Sequence, residues 1–291
     1  MDPRSARGPL SPVSTALPAE YFTPGLSSFT DFVASTAPHL LPGHLPAGSS
    51  PVDATGLGPD VRHGTTIVAL TFADGVLIAG DRRATAGNVI AQRDIEKVFV
   101  TDNYSAVGIA GTAGIAVELV RLFTVDLEHY DKIEGVPLSL DGKVNKLAGM
   151  VRGNLGAAMQ GLAAIPLFVG YDVDAADPAK AGRIVSFDVV GSKSEEVGYH
   201  SIGSGSLFAR SALKKRHDPA ADTDTAIRAA VEALYDAADD DTATGLPDLS
   251  RNIYPVVITI TGPDGAVRHP DEQVGEIARA VVADRLTRPG G

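Results

Sequence analysis

The composition of this chain changes sharply near residue 64, and that boundary limits what can fold. Ten of its 19 prolines lie within residues 1–64, among many serine, glycine, alanine and threonine residues. Such a segment holds too little apolar surface to offset the conformational entropy that is lost on ordering. We therefore expect a largely flexible segment over residues 1–64 and a folded domain over residues 65–291.

One stretch of the proline-rich segment departs from its surroundings. Tyr21, Phe22, Phe29 and Phe32 place four aromatic side chains within twelve residues. The stretch is either part of a disordered tail in which aromatic residues occur by chance, or a docking segment that contacts a partner or the folded domain. The composition favours the first interpretation and leaves the second open.

Composition excludes several classes of protein. The chain has no cysteine, which rules out disulfides, thiolate metal sites and cysteine nucleophiles. Its net charge of −11 argues against a nucleic-acid partner, which usually requires a basic face. The seven histidines show no metal-ligand spacing, so we expect no metal and no cofactor. No apolar run reaches the roughly 18 residues of a membrane helix, and no signal-peptide core follows Met1, so we expect a cytoplasmic protein without a membrane partner.

Regular structure is predicted to begin directly after Gly64. The β-branched run 65–72 and the apolar run 76–80 flank Asp74-Gly75, which is a strong hairpin signal. Periodicity predicts further strands near 97–101, 105–109, 165–171, 183–189, 196–202 and 255–261, and helices near 112–129, 140–161, from about 206, 223–238 and 271–287. Antiparallel groups of strands and paired helices indicate an α+β fold of stacked sheets covered by helices.

A set of polar residues and glycines follows the boundary at regular spacing. Asp81 lies sixteen residues after Thr65, and Lys97 lies sixteen residues after Asp81. The sequences Ala110-Gly111-Thr112-Ala113-Gly114, Gly203-Ser204-Gly205 and Asp241-Thr242-Ala243-Thr244-Gly245 come later in the chain. Each of these is ordinary by itself. Thr65 alone indicates a strand, Asp81 a turn and Lys97 a solvated charge. The run 203–205 alone indicates a loop, and the run 241–245 indicates a helix end. Together, at this spacing, they form a highly specific sequence pattern.

This pattern resembles the β subunits of the 20S proteasome, which are N-terminal nucleophile (Ntn) hydrolases, and the actinobacterial type in particular. The resemblance runs from Thr65 to the end of the chain and includes the run 235–241. It implies a four-layer αββα sandwich, in which two stacked antiparallel sheets are flanked by helices. It also implies that residues 1–64 are a propeptide that is removed by cleavage between Gly64 and Thr65.

The resemblance implies a role for each matched residue. Thr65, once it is N-terminal, would be the nucleophile, and its own α-amine, with a reference pKa of about 7.7–8.0, would be the base. Lys97 would lower the proton affinity of both groups, and Asp81 would be its charge partner. The backbone N–H of Gly111 would form the oxyanion hole. The residues that hold the amine and its water would be Ser204, Asp241 and Thr244.

Substrate contacts are implied in the same way. Thr85 would offer backbone groups that pair with a bound peptide as an added strand. The pocket for the side chain before the scissile bond would be lined by six apolar residues, Ala84, Ile95, Phe99, Ile109, Ala113 and Val117. We therefore expect cleavage after hydrophobic residues.

The implied partners are α subunits and other β subunits in seven-membered rings stacked as α7β7β7α7, a ring ATPase and unfolded protein substrates. Three alternatives stay open. The bacterial two-ring threonine protease also begins Thr-Thr-Ile, but its domain is shorter. A small-molecule amidohydrolase of the superfamily would usually begin with Ser or Cys. The third alternative is an inactive structural ring subunit, although such subunits lack the processed threonine.

Overall fold

The structure is a computed structural model that describes residues 64–86 and 89–288. The expected propeptide up to residue 63, with its aromatic stretch, lies outside the described residues. The strands are β1 Thr66–Phe72, β2 Gly75–Gly80, β3 Ala84–Ala86, β4 Val89–Gln92, β5 Val98–Asp102, β6 Ser105–Gly111, β7 Ala164–Tyr171, β8 Gly182–Phe187, β9 Lys193–Glu196, β10 Tyr199–Gly203, β11 Val256–Thr261 and β12 Gly265–Arg268.

Two five-stranded antiparallel sheets dominate the described residues. The first has the strand order β10-β1-β2-β11-β12, and the second has the order β5-β6-β7-β8-β9. Strands β3 and β4 form a separate two-stranded ribbon. The β1–β2 hairpin was predicted, but its turn lies one residue earlier than expected, because Phe72 pairs with Gly75. Gly75 already belongs to β2, where a Cβ atom would lie 2.0 Å from the Ile260 carbonyl oxygen of β11.

Within the described residues, six α-helices accompany the sheets: α1 Ala113–Glu134, α2 Leu140–Gly153, α3 Leu155–Ala158, α4 Ser206–Arg216, α5 Thr223–Asp240 and α6 Asp271–Thr287. Helix α1 extends beyond the predicted end and stops at Gly135, which takes the left-handed conformation (φ 71°) typical of a C-cap. The prediction of one helix over 140–161 was wrong. The helix ends at Gly153, and a single short turn, α3, follows Asn154.

In the part of the chain that the structure describes, three apolar clusters define the layers. Between the two sheets lie inward-facing side chains such as Ile67, Ile78, Leu167 and Ile258. On the outer face of the first sheet, residues of β1 and β2 pack against α4, α5 and α6. On the outer face of the second sheet, Phe168 and its neighbours pack against α1 and α2. The order helix, sheet, sheet, helix confirms the predicted αββα architecture.

Candidate active site

Thr65 directly precedes β1 of the first sheet. Its carbonyl oxygen accepts a 2.8 Å hydrogen bond from the Ser204 N–H at the end of β10. The next residue, Thr66, donates its N–H to Asp81 Oδ1 at 2.9 Å. Thr65 is only 4% exposed. Strand pairing and a buried carboxylate thus fix the backbone on which the predicted nucleophile sits.

Asp81 and Lys97 form a buried ion pair beside this backbone. Lys97 Nζ lies 2.7 Å from Asp81 Oδ1, 2.5 Å from the Arg83 carbonyl oxygen and 3.3 Å from the Gly64 carbonyl oxygen. Burial lowers the pKa of Lys97 below its ordinary value, and the Asp81 carboxylate opposes that shift. A buried ammonium needs such partners, because an unpaired charge in the interior is costly.

The Asp81 carboxylate is also a structural junction. Its Oδ2 accepts the backbone N–H of Arg83 at 2.9 Å and that of Gly245 at 2.8 Å. Together with the bonds from Thr66 and Lys97, this carboxylate connects the start of β1, the end of β2 and the loop after α5. Removing its charge would therefore disturb three segments at once.

Ser204, Asp241 and Thr244 form a second network, which contacts Thr65 through Ser204. Ser204 Oγ and Thr244 Oγ1 each lie 2.6 Å from Asp241 Oδ2. Because a hydroxyl carries one proton and a charged acceptor binds it most strongly, both hydroxyls donate to Asp241. Ser204 Oγ is then an acceptor for the Thr65 N–H, 3.4 Å away.

Two residues of this network were not predicted. Thr66 Oγ1 lies 2.6 Å from Thr244 Oγ1 and accepts the Gly205 N–H at 3.0 Å. Since the Thr244 proton is directed to Asp241, Thr66 donates to Thr244. Arg83 Nη1 donates to the carbonyl oxygens of Thr242 and Thr244, at 3.1 Å each. Arg83 thereby ties the loop of residues 241–245, called loop 241–245 below, to the Asp81–Lys97 pair.

Gly111 ends β6 in a conformation that few other residues adopt. Its φ is 123°, and a Cβ atom there would lie 2.1 Å from the Ala163 carbonyl oxygen. A side chain is therefore excluded both by the backbone conformation and by space. Gly111 lines the same cleft as Thr65, as the predicted oxyanion role requires.

All six residues predicted to form the side-chain pocket border one cleft, together with Thr65, Lys97 and Gly111. We call it the apolar cleft. It has a volume of about 320 Å³, including the part open to solvent. Ala116 and Glu96 also line it and were not predicted. Ala116 could have been predicted, because it lies one helical turn after Ala113. The Glu96 carboxylate is paired with Arg268 at 2.6 Å.

Thr85 lies on β3, and its backbone pairs with Ile90 of β4. Its side chain is buried, and Thr85 Oγ1 accepts the Gly64 N–H at 3.3 Å. This contact was not predicted, since the sequence pointed only to the backbone groups of Thr85. The structure thus brings every predicted site residue to one region, and their catalytic roles stay predictions.

Over residues 64–86 and 89–288, no helix combines the length and the apolar character that crossing a membrane requires. In the same ranges, no group of three or more histidine or carboxylate side chains is arranged to hold a metal ion.

Comparison with known proteins identifies the family. A family model described as "Proteasome subunit" matches residues 61–247. "Proteasome subunit beta" of Saccharopolyspora erythraea is 67% identical over 277 residues, covering 95% of each chain. The protein of the same name from Saccharomonospora viridis is 64% identical, covering 94% of this chain and 96% of its own. "Proteasome subunit beta 1" of Rhodococcus erythropolis is 64% identical, covering 93% of each chain. These matches confirm the resemblance: the chain belongs to the proteasome subunit family, among β subunits of the actinobacterial type.

Proposed function

We propose that this chain is the catalytic β subunit of a 20S proteasome, which is made as a precursor, cuts itself between Gly64 and Thr65, and then acts as a threonine-type endopeptidase. One observation carries the proposal. The Lys97–Asp81 pair binds backbone groups of the two residues that flank Thr65, the Ser204–Asp241–Thr244 network reaches the Thr65 N–H, and Thr65 also borders the apolar cleft. An inactive ring subunit would have no need of such a site.

Self-cleavage follows from the position of Thr65 next to its own peptide bond. The Thr65 hydroxyl oxygen attacks the Gly64 carbonyl carbon, its proton passes to the departing Thr65 nitrogen, and the amide becomes an ester. Water then hydrolyses the ester and releases residues 1–64 with a carboxylate on Gly64. The Thr65 hydroxyl is restored, and the residue gains a free α-amine.

Peptide cleavage by the mature residue uses that amine as its base. With its proton directed to Asp241, Ser204 Oγ accepts a hydrogen bond from the amine, which leaves the nitrogen lone pair free to take the Thr65 hydroxyl proton. The nearby Lys97 ammonium lowers the proton affinity of the amine and the hydroxyl. The Gly111 N–H stabilises the oxyanion, and the acyl part of the peptide is transferred to the Thr65 oxygen as an ester while the amine fragment leaves with the proton that the Thr65 amine took up. Water then hydrolyses the ester, which releases the acyl part as a carboxylic acid and restores the Thr65 hydroxyl.

Specificity is proposed from the lining of the apolar cleft. Seven apolar residues line the cleft, and the carboxylate of Glu96 is paired with Arg268. Hydrophobic residues should therefore be preferred before the scissile bond. A panel of fluorogenic peptides that differ only at that residue measures the preference. Equal or faster cleavage after acidic or basic residues would contradict it.

Assembly with other proteasome subunits is proposed from the family. The relatives are named as proteasome β subunits, and the motif resemblance implies α7β7β7α7 rings, a ring ATPase, unfolded substrates and a cytoplasmic location. The match to the Saccharopolyspora erythraea protein covers 95% of this chain, so most of residues 1–64 have a counterpart there. We infer that this segment blocks premature activity and assists ring assembly. Deleting residues 21–32 should slow assembly on native gels more than it slows peptide turnover per mature site, and unchanged assembly kinetics would count against this role.

The deciding experiment is the intact mass of the chain co-expressed with its α partner, beside a Thr65→Ala variant. Loss of residues 1–64 from the wild type alone supports self-cleavage by Thr65. Trimming of both chains would assign the cut to another protease. An uncut wild-type chain in a complete particle would favour the inactive structural subunit.

A further inference from the structure

Side chains hold both polar backbone groups of Gly64, the residue that precedes the nucleophile. Its N–H donates to Thr85 Oγ1 at 3.3 Å, and its carbonyl oxygen accepts from Lys97 Nζ at 3.3 Å. The two partners are themselves buried, at 8% and 5% exposure. The carbonyl whose carbon must be attacked is therefore fixed in place by groups outside the β1 backbone.

The remaining side of Gly64 is closed by a methyl group. A Cβ atom on Gly64 would lie 1.9 Å from the Ala243 Cβ atom. Ala243 cannot easily withdraw, because its N–H is bound to Asp241 Oδ1 at 3.1 Å and Arg83 holds the carbonyl groups on both sides of it. We call the enclosure formed by Thr85, Lys97 and Ala243 the Gly64 cradle.

The direction of this clash indicates that Gly64 in the uncut chain and the substrate residue before the scissile bond take different positions. A side chain on Gly64 would point at loop 241–245, whereas Ala243 is not among the residues that line the apolar cleft. A substrate residue whose side chain enters the apolar cleft must therefore place its backbone differently from Gly64. The hydrogen bond from the Gly64 N–H to the Thr85 hydroxyl then belongs to the uncut chain and not to a bound substrate.

We propose that the Thr85 hydroxyl is a positioning group for self-cleavage: it holds the Gly64 N–H so that the Gly64 carbonyl faces Thr65. This inference rests on the proposed self-cleavage at Gly64–Thr65. It assigns to the side chain of Thr85 a role separate from the one its backbone has in peptide binding. The hydroxyl acts through Gly64 and touches no reacting atom.

The test compares Thr85→Val, which keeps the shape of the side chain and loses the hydroxyl, with Thr85→Ser, which keeps the hydroxyl. Each full-length chain is co-expressed with the α partner, and intact mass follows the cut at Gly64–Thr65 over time. A single hydrogen bond predicts cleavage roughly three- to tenfold slower for the valine variant and close to the wild-type rate for the serine variant. After processing is complete, kcat/KM per processed site should fall by a smaller factor than the cleavage rate.

Several results would overturn the inference. They are cleavage of the valine variant at the wild-type rate, equal slowing of cleavage and turnover, or a serine variant as slow as the valine variant. If the valine variant does not fold, judged by native gel, the serine variant still decides, because a slow serine variant contradicts a role for the hydroxyl. Failure of the proposed function looks different, since the wild-type chain would then stay uncut or Thr65→Ala would also be trimmed.

Discussion

Replacing Gly64 with alanine should slow self-cleavage on the order of 100-fold, for a reason that can be worked from the structure. The new Cβ atom would lie 1.9 Å from the Ala243 Cβ atom, whereas carbon atoms in contact prefer about 3.5–4.0 Å. One of the two segments must therefore move by roughly 2 Å. A misplacement of about 1 Å at a reacting group can already cost about 100-fold in rate.

A second substitution tests whether that contact is the cause. Ala243→Gly removes the nearest atom, but the Ala243 Cα and carbonyl oxygen would still lie 2.8 and 3.0 Å from the new Cβ. The double variant should therefore recover part of the rate and not all of it. Gly149→Ala is the matched control, because it adds the same methyl group at an exposed position of α2 with no heavy atom within 4 Å.

The assay is the time course of intact mass for each full-length chain, co-expressed with the α partner and compared at equal assembly on native gels. Gly149→Ala should be cut at the wild-type rate. The reasoning is refuted if Gly64→Ala is cut as fast as the wild type. It is also refuted if removing the Ala243 methyl group leaves the slow variant unimproved, because the obstruction would then lie elsewhere.

Three further predictions concern stability. Asp81→Asn leaves Lys97 buried beside a neutral group and should lower the free energy of unfolding by about 3–5 kcal/mol in urea titrations; an unchanged midpoint would show that the pair is not buried in solution. Phe123→Ala empties a fully buried site where α1 packs against Phe168, and it should lower the free energy of unfolding by about 3–5 kcal/mol in the same assay. A decrease under 1 kcal/mol would count against the packing described. Burial lowers the pKa of Lys97, so between the folded pKa and the ordinary value of 10.5 the unfolded chain binds a proton that the folded chain has released. In that pH range the free energy of unfolding should rise with pH more steeply for the wild type than for Lys97→Met. Equal slopes in the two proteins would contradict the pKa shift.

The sequence predicted most of the fold where one pattern dominates. The apolar runs of β1 and β2 and the helical stripes of α1, α5 and α6 are local signals, and the structure confirms those elements. Strand β9, with the sequence Lys-Ser-Glu-Glu, was missed because it is polar and gains its hydrogen bonds only by pairing with β8 at the sheet edge. The break at Asn154 was missed because the apolar periodicity continues through it.

The candidate site also has a part that the sequence predicted and a part that it could not predict. Its matched motifs predicted Thr65, Asp81, Lys97 and the later polar residues, and the structure places them together. Contacts between distant segments could not be read from the chain. Thr66 meets Thr244 across 178 residues, and Arg83 meets Thr242 across 159. Ala243 matters only because Gly64 approaches it, and nothing in the local sequence of an alanine indicates such a contact.

The position of β1 within its sheet has a consequence for how the protein fluctuates. This strand pairs with β10 on one side and with β2 on the other, and residues such as Ile67 and Val68 are fully buried. Amide hydrogens of buried central strands typically exchange with solvent through the largest openings of a domain. We therefore expect β1, the strand that directly follows Thr65, to belong to the slowest-exchanging part of the described domain.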